Sequence, residues 1–453
     1  MIRLLLSLTF LALLFVGCTV PSNNTNSSVA QPASSPIALA SPNTSPETAS
    51  VQVTLPLLDA LLSDEKFVAQ LRQNLKLSDE QIESLKRTSS AEIARLQETN
   101  AEDTDGNATD ARIRTSEELK KILGDEKARQ LVTIANNYWS KGDPSGDDKG
   151  PTVEMLKGPN AVPSDTRVVV NIPAFRMDLF QDGSLVKSYR VGIGYPEFPL
   201  PFGLRKAQTI IFNPTWTPPD SPWVAKMKNV TAGETVKAGD KDNPLGPIKI
   251  PIGLPSLIHG GKSPAKIGKF ASHGCVGLTN AQVKDFAGLL AKASNTTEVS
   301  ATTIESYLQD KEKTRTVKLK QPVPVELRYE TIVLEDGKLH IYKDVYAQDT
   351  NTEENLRAVL EANGVRLEDL PEQQRTELLN ALNAMSTNPT VTPSPTPEAS
   401  PQKKTAKAKK PPKPQNEIVI DLGSVAQKGY PAPVNLDTGN GKPATDKRGL
   451  KTG

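Results

Sequence analysis

Two stretches of low complexity set the limits on what this chain can fold into. Residues 19–50, TVPSNNTNSSVAQPASSPIALASPNTSPETAS, hold no lysine or arginine and are rich in Ser, Pro, Asn and Thr. Residues 386–415, STNPTVTPSPTPEASPQKKTAKAKKPPKPQ, are rich first in Pro and Thr, then in Lys. Neither carries enough apolar surface to offset the entropy of ordering its backbone, so both read as extended tethers. The lysine run reads as a solvated spacer. Composition agrees with an interrupted chain. With 37 prolines in 453 residues, 37% hydrophobic and 5% aromatic, the whole is too polar for one continuous globule. Length suggests roughly two to four domains.

The N-terminus is read separately from the fold. MIRLLLSLTFLALLFVGC has one positive charge, Arg3, then an apolar run from Leu4 to Val16 that is short for a membrane-spanning helix. It ends at Gly17-Cys18 and resembles a bacterial lipoprotein signal, with residues 1–17 as the signal peptide. That resemblance implies cleavage before Cys18, lipid on its thiol and attachment to a membrane through that lipid. Phe15 stands where Leu is usual, and an ordinary signal peptide with a chance cysteine is the competing reading. Thr19 follows the cysteine in place of Asp, which favours the periplasmic face of the outer membrane over the inner.

Between the tethers the texture changes several times. Residues 51–142 read as a helical domain. Ser78 and Gln81 have capping-box spacing, Leu77 and Ile82 can staple the entry, and Ile82, Leu85, Ile93 and Leu96 recur on one face. Thr115 with Glu118 reads as a second helix start, and Gly124 as a stop. The acidic stretch at 100–110 lacks the ordered spacing of a calcium loop and reads as solvated. Residues 143–165 are a Gly/Pro/Asp-rich connector. From 166 strands dominate, with hairpin turns expected at Asp182-Gly183 and Asp336-Gly337, and one helix at NAQVKDFAGLLAKA. Residues 352–385 read as two short helices split at Asn363-Gly364. The last segment, 416–453, has one strand-like run and no readable chemistry. The expected fold class is a multidomain α+β chain, its β-rich part a mixed β-sandwich with one helix after Cys275, flanked by helical segments and disordered linkers.

Chemistry concentrates in one window. ASHGCVGLTN, residues 271–280, holds His273 and Cys275, and LIHGGKSPAKIGKF upstream holds His259. The chain has only two cysteines and three histidines, so their clustering calls for an account. A cysteine attacks as the thiolate, and a histidine that accepts its proton makes the thiolate available at neutral pH. Gly274 permits a sharp turn and close approach of a substrate carbonyl, and the backbone N–H groups of Gly274 and Cys275 can serve a developing oxyanion. Ser272 offers a hydroxyl to hold a neighbour. Gly260 can present its carbonyl to the His259 ring and fix the tautomer. A zinc site, a disulfide half and a buried inert thiol are the competing readings. No fourth ligand stands at metal spacing, and a lipidated Cys18 leaves Cys275 without a partner in the chain.

IHGG followed by SHGCVGLTN resembles the catalytic motif of the L,D-transpeptidase (YkuD-type) family. VVVNIPAFRMDLFQDG, VGIGYPEFPLPFG, NPTWTPP and DNPLG resemble the family's upstream segments, and PVELRYETIVLEDGKLHIYKDVY its closing strands. The resemblance spans residues 166–346. It implies a β-rich catalytic domain in which Cys275 forms a thioester and His259 is the general base. It further implies that the Gly260 carbonyl orients that base, while Ser272, His273 and Gly274 shape the site. The implied substrate is a peptidoglycan stem peptide, with loss of a terminal D-Ala and formation of a 3→3 crosslink, and no metal or organic cofactor. Tyr195, Trp216 and Trp223 are candidates to line the substrate groove, with packing as the alternative for each.

Two positions depart from the family pattern. Gly277 stands where Arg or Asn is usual, and Leu200-Pro201-Phe202-Gly203-Leu204-Arg205 stands where Thr-Pro-x-Gly-Thr/Glu-Phe is common. Hydrolysis through the same acyl-enzyme, as an L,D-carboxypeptidase, therefore stays open, as does a non-catalytic wall-binding lipoprotein. A net charge of +2, with 54 basic and 52 acidic residues, gives no electrostatic ground for binding nucleic acid. No phosphate-cradling glycine loop is present.

Overall fold

The computed structural model describes residues 53–98, 108–141, 154–219, 222–225, 227–253, 255–386, 416–423 and 429–440. The signal peptide, Cys18, the tether, most of the acidic stretch, the first half of the connector and the linker beyond Ser386 lie outside the described residues.

The chain begins with helices α1 (Leu55–Leu62), α2 (Glu65–Leu75), α3 (Asp79–Glu98), α4 (Ala108–Leu123) and α5 (Asp125–Lys141). At the start of α3 the Gln81 N–H donates to Ser78 Oγ (3.2 Å) and the Ser78 N–H donates to Gln81 Oε1 (3.1 Å), so two otherwise orphaned donors are satisfied reciprocally. Leu77 and Ile82 are both buried beside it. Gly124, at φ +78°, separates α4 from α5. Leu58, Phe67, Leu71, Leu85, Leu119 and Trp139 fill the core of this bundle. Each buried leucine there contributes about 1.5–3 kcal/mol.

Thr115 does not start a helix. It lies inside α4, where its hydroxyl donates to the Ala111 carbonyl one turn back (2.7 Å) and accepts the N–H of Leu55 (3.0 Å). The hydroxyl satisfies a first-turn donor of a neighbouring helix rather than its own, a tertiary use that spacing along the chain does not reveal.

The large sheet runs in the order β3–β2–β1–β10–β5–β6–β7–β9. Its strands are β1 (Arg167–Asn171), β2 (Arg176–Gln181), β3 (Ser184–Arg190), β5 (Gly203–Phe212), β6 (Ile248–Pro251), β7 (Leu257–His259), β9 (Val276–Gly277) and β10 (Arg315–Arg328). The pairs β1·β10 and β7·β9 are parallel and the others antiparallel. Strands β4 (Ile193–Gly194) and β8 (Phe270–Ser272) form a separate parallel pair. Asp182 and Gly183, at φ +49° and +78°, turn β2 into β3, a backbone that an Asp-Gly pair adopts with little strain.

Alternation explains the burial. Val168 and Val170 point into the main core with Val325 and Leu327 of β10, while Val169 faces the opposite side with Phe180 and Tyr430. Helix α6 (Pro222–Ala225) is a single turn in the loop after β5. Helix α7 (Asn280–Ala293) opens with a second capping box, Thr279 with Gln282, and lays Val283, Phe286, Ala287 and Leu290 onto the main core. A further helix, α8 (Ala301–Gln309), follows it and adds Ile304.

Strands β11 (Ile332–Glu335) and β12 (Lys338–Tyr342) leave the large sheet. They pair with β13 (Glu417–Asp421) in a three-stranded sheet covered by α9 (Glu353–Ala362) and α10 (Glu372–Met385). Ile332, Leu334, Leu339, Ile341 and Ile420 face those helices, while Val333 and Tyr342 face the large sheet. The strand-like run of the last segment therefore completes a sheet begun before the linker. Residues 434–437 continue along β3, exchanging backbone hydrogen bonds of 2.9 Å with Ser188 and Arg190, which covers an otherwise open edge.

Candidate functional site

The register of the last two strands sets the site. Ile258 pairs with Val276 and His259 with Gly277. Ile258 and Val276 are fully buried in the main core. Side chains alternate along a strand, so His259 and Gly277 share the opposite face, and Cys275, the residue before Val276, returns to that face as the chain enters the strand. Two core residues thus aim the nucleophile candidate and the base candidate in one direction. The Leu278 N–H donates to the His259 carbonyl (2.8 Å), which extends the pairing beyond the strands.

The turn that carries Cys275 is held from several sides. Gly274 has φ +86°, a conformation that favours glycine. Its carbonyl accepts the hydroxyl of Ser256 (2.8 Å), a residue only 1% exposed. Ser272 Oγ donates to the Cys275 carbonyl (2.5 Å) and accepts the Cys275 N–H (3.0 Å). This corrects one expectation. The Cys275 N–H is committed to Ser272 and does not stand open to an oxyanion, whereas the Gly274 N–H has no partner among the described residues. On the far side, Gly192 and Gly277 exchange backbone hydrogen bonds (2.9 and 2.8 Å), and the Tyr195 N–H donates to the Ser272 carbonyl (2.9 Å).

His259 is 3% exposed, and its Nδ1 lies 2.7 Å from the Gly260 carbonyl oxygen. A carbonyl only accepts, so Nδ1 carries the proton and Nε2 keeps the lone pair. Burial pushes the imidazole down to about 3; Lys262 pushes it the same way, while backbone contacts with Gly260 and Leu245 oppose. The ring is therefore neutral at physiological pH. Cys275 is partly exposed and unbridged. Burial of its thiol pushes it above the ordinary range, against a backbone hydrogen bond with Leu257 and the charge of Lys262. The resting site is thus a neutral thiol and a neutral imidazole rather than an ion pair.

His273 forms a wall. Its ring stands perpendicular to Phe198 at 4.5 Å between centroids and tilted to Tyr195 at 5.6 Å. Tyr195 is 9% exposed and packs with Phe198 against Ile93 and Leu96 of α3. It supports His273 from beneath the helical bundle instead of opening onto a groove, because α3 covers the loop that carries it. Thr54 adds a hydrogen bond from its hydroxyl to the Glu197 carbonyl (2.6 Å). Trp216 is half-buried in a bridge with Val236. Trp223 belongs to α6, and its side chain lies outside the described residues.

Several residues escape sequence reasoning. Tyr346 Oη donates to the Gly194 carbonyl (2.9 Å) and accepts the Leu200 N–H (3.2 Å), pinning both ends of the loop beneath His273. Asn280 Oδ1 accepts the Gly261 N–H (2.8 Å). Lys262 acts on both His259 and Cys275. Only Lys262 left a signal, as a charged residue three positions after the histidine. Among the described residues no group of His, Cys, Asp and Glu is arranged to hold a metal ion.

Residues 165–317 match the family model described as the L,D-transpeptidase catalytic domain, YkuD. No curated protein matches the chain. Among solved structures it is similar to the catalytic domain of the E. faecium L,D-transpeptidase, at 17% identity and a TM-score of 0.24, covering 37% of this chain and 100% of that one. It is also similar to an L,D-transpeptidase from Mycobacterium smegmatis, at 14% identity and a TM-score of 0.22, covering 36% of this chain and 58% of that one. An L,D-transpeptidase from Mycobacterium tuberculosis H37Rv gives 15% identity and a TM-score of 0.20, covering 36% and 57%. The chain thus spans little more than half the length of the two mycobacterial proteins.

Proposed function

We propose that this chain is a peptidoglycan L,D-transpeptidase that works through a Cys275 thioester, with His259 as general base. The observation that carries the reading is the β7–β9 register, which sets His259 beside Gly277 two residues after Cys275, together with the Nδ1 hydrogen bond that leaves Nε2 ready for a proton. The Cys275 thiol gives its proton to His259 Nε2 as sulfur attacks the carbonyl carbon of the third, L-configured residue of a stem peptide. The Gly274 N–H donates to the oxyanion. Collapse breaks the carbon–nitrogen bond, the imidazolium protonates the departing amine, and D-Ala leaves. An amine of a second stem, deprotonated by His259, then attacks the thioester. A 3→3 crosslink forms and the thiol is regenerated.

In this reading the chain is anchored by lipid on Cys18 to the periplasmic face of the outer membrane, and the tether lets the catalytic region reach the wall. The acceptor is a stem amine, or a protein amine if the enzyme attaches protein to the wall.

The test has two arms. Intact-mass measurement after exposure to imipenem is expected to show one covalent adduct, lost in Cys275→Ala. Muropeptide analysis is expected to show 3→3 dimers with the wild type alone. More tripeptide without dimers assigns the same acyl-enzyme to hydrolysis. Neither product nor adduct, with retained binding to sacculi, assigns a wall-binding role and overturns the enzymatic reading.

A further inference from the structure

Gly277 stands two residues after the cysteine, where Arg or Asn is usual in the family that this site resembles. Its φ lies outside the left-handed region, so backbone conformation does not demand glycine there. Space does. A Cβ built on Gly277 falls 2.8 Å from Cγ of Lys262, 2.9 Å from Cε and 3.3 Å from Cδ. The lysine stem runs where a side chain of residue 277 would begin. Its backbone holds it there, since the Lys262 N–H donates to the Leu278 carbonyl (3.0 Å). Gly261, at φ +80° and with the Pro244 carbonyl oxygen 2.4 Å from an added Cβ, makes the turn that brings Lys262 back to the strand. The Lys262 ammonium makes no hydrogen bond or ion pair within the described residues.

We propose that Lys262 substitutes for the missing polar side chain at position 277: threaded across Gly277, it brings an unpaired ammonium to the Cys275 thiol and favours the thiolate. Burial alone would keep both groups neutral. It lowers the lysine and raises the cysteine, and each opposes that shift in the other. The other titratable groups around the pair are Lys266, which faces Lys262, and Lys249 of β6, which faces His259. His259 faces Lys262 from β7. None of these is an acid that would neutralise the ammonium. Lys262 acts through Cys275 and is a positioning residue. The proposal rests on Cys275 being the nucleophile.

The test is the pH dependence of Cys275 alkylation by iodoacetamide on the full chain, followed by peptide mass mapping so that Cys18 does not contribute. This reads thiol ionisation whether or not crosslinks form, so a failed transpeptidase assay leaves it intact. Lys262→Met keeps most of the stem and removes the charge; its midpoint is expected to rise by roughly 0.5–1 pH unit, with alkylation at neutral pH slowed roughly 3- to 10-fold. Lys262→Arg is expected to restore the wild-type midpoint. Gly277→Ala pushes the stem aside and is expected to raise the midpoint too, but to add nothing in a Lys262→Ala background. An unchanged midpoint in folded Lys262→Met, or additive effects of the two sites, overturns the proposal. If Lys262→Met does not fold, a Gly277→Ala midpoint equal to the wild type overturns it as well.

Discussion

Two regions of this molecule bury ionisable groups, and they treat them in opposite ways. On the outer side of the large sheet the charges are paired. Arg167 meets Asp165 and Glu326, Arg328 meets Glu326 at 2.8 Å, and Arg176 meets Asp178 at 2.9 Å as well as Glu335. Burial alone would pull Arg167 and Arg176 down, but their carboxylate neighbours hold both above the usual range. At the β7–β9 edge no carboxylate among the described residues accompanies Cys275, His259 or Lys262. There burial wins, and each is displaced toward its neutral form. Pairing makes a buried charge a structural fixture. Leaving it unpaired keeps a proton or a charge available for chemistry. Arg205 of β5 blurs the division. It is 2% exposed, its guanidinium nitrogens make no hydrogen bond among the described residues, and burial pushes it down to about 9.

Each part of that contrast can be broken. The largest effect is expected from Glu326→Ala, which strips two buried arginines of a shared partner. Urea unfolding should show a loss of about 3–5 kcal/mol. A loss below 1 kcal/mol would mean that the network is no fixture.

Next comes the acid limb. His259 binds its proton near pH 3 when folded and near its ordinary 6.5 when unfolded. Between those values the unfolded chain holds the extra proton, so stability falls as pH falls, by up to about 1.4 kcal/mol per unit. His259→Gln is expected to flatten the stability profile across this window, and an unchanged slope would place the histidine in water.

Arg205→Phe puts an apolar side chain in place of an unpaired buried cation. It is expected to stabilise the protein by about 1–3 kcal/mol, read as a raised Tm. A drop in Tm would reveal an undetected anionic partner.

The smallest change is Ser272→Ala, which deletes the clamp on the cysteine turn. A cost of about 1–2 kcal/mol is expected, with faster alkylation of a looser Cys275 as the accompanying sign.

Legibility from sequence followed the range of the interaction. The capping box at Ser78–Gln81, the Asp182-Gly183 turn and the helix at Asn280–Ala293 each depend on neighbours within a few residues, and the residues alone announce them. Cys275 and His259 stood out because the chain has so few of either type. Thr115 misled because its hydroxyl serves Leu55, sixty residues away. Tyr195 read as groove-lining because nothing local shows that α3 covers it. Strand β13 could not be joined to β11 and β12 by pattern, since a sheet edge accepts any strand of suitable alternation.

By itself, then, the sequence determined the mixed α+β class, the places where helices begin and turns close, and the identity of the scarce reactive side chains. Those properties reside in backbone preference and local hydrogen bonding. Tertiary structure alone decided which face Cys275 and His259 share, how deeply each is desolvated and what lies across Gly277. Desolvation and steric exclusion depend on what else occupies the surrounding space. At position 277 that occupant is Lys262, fifteen residues upstream.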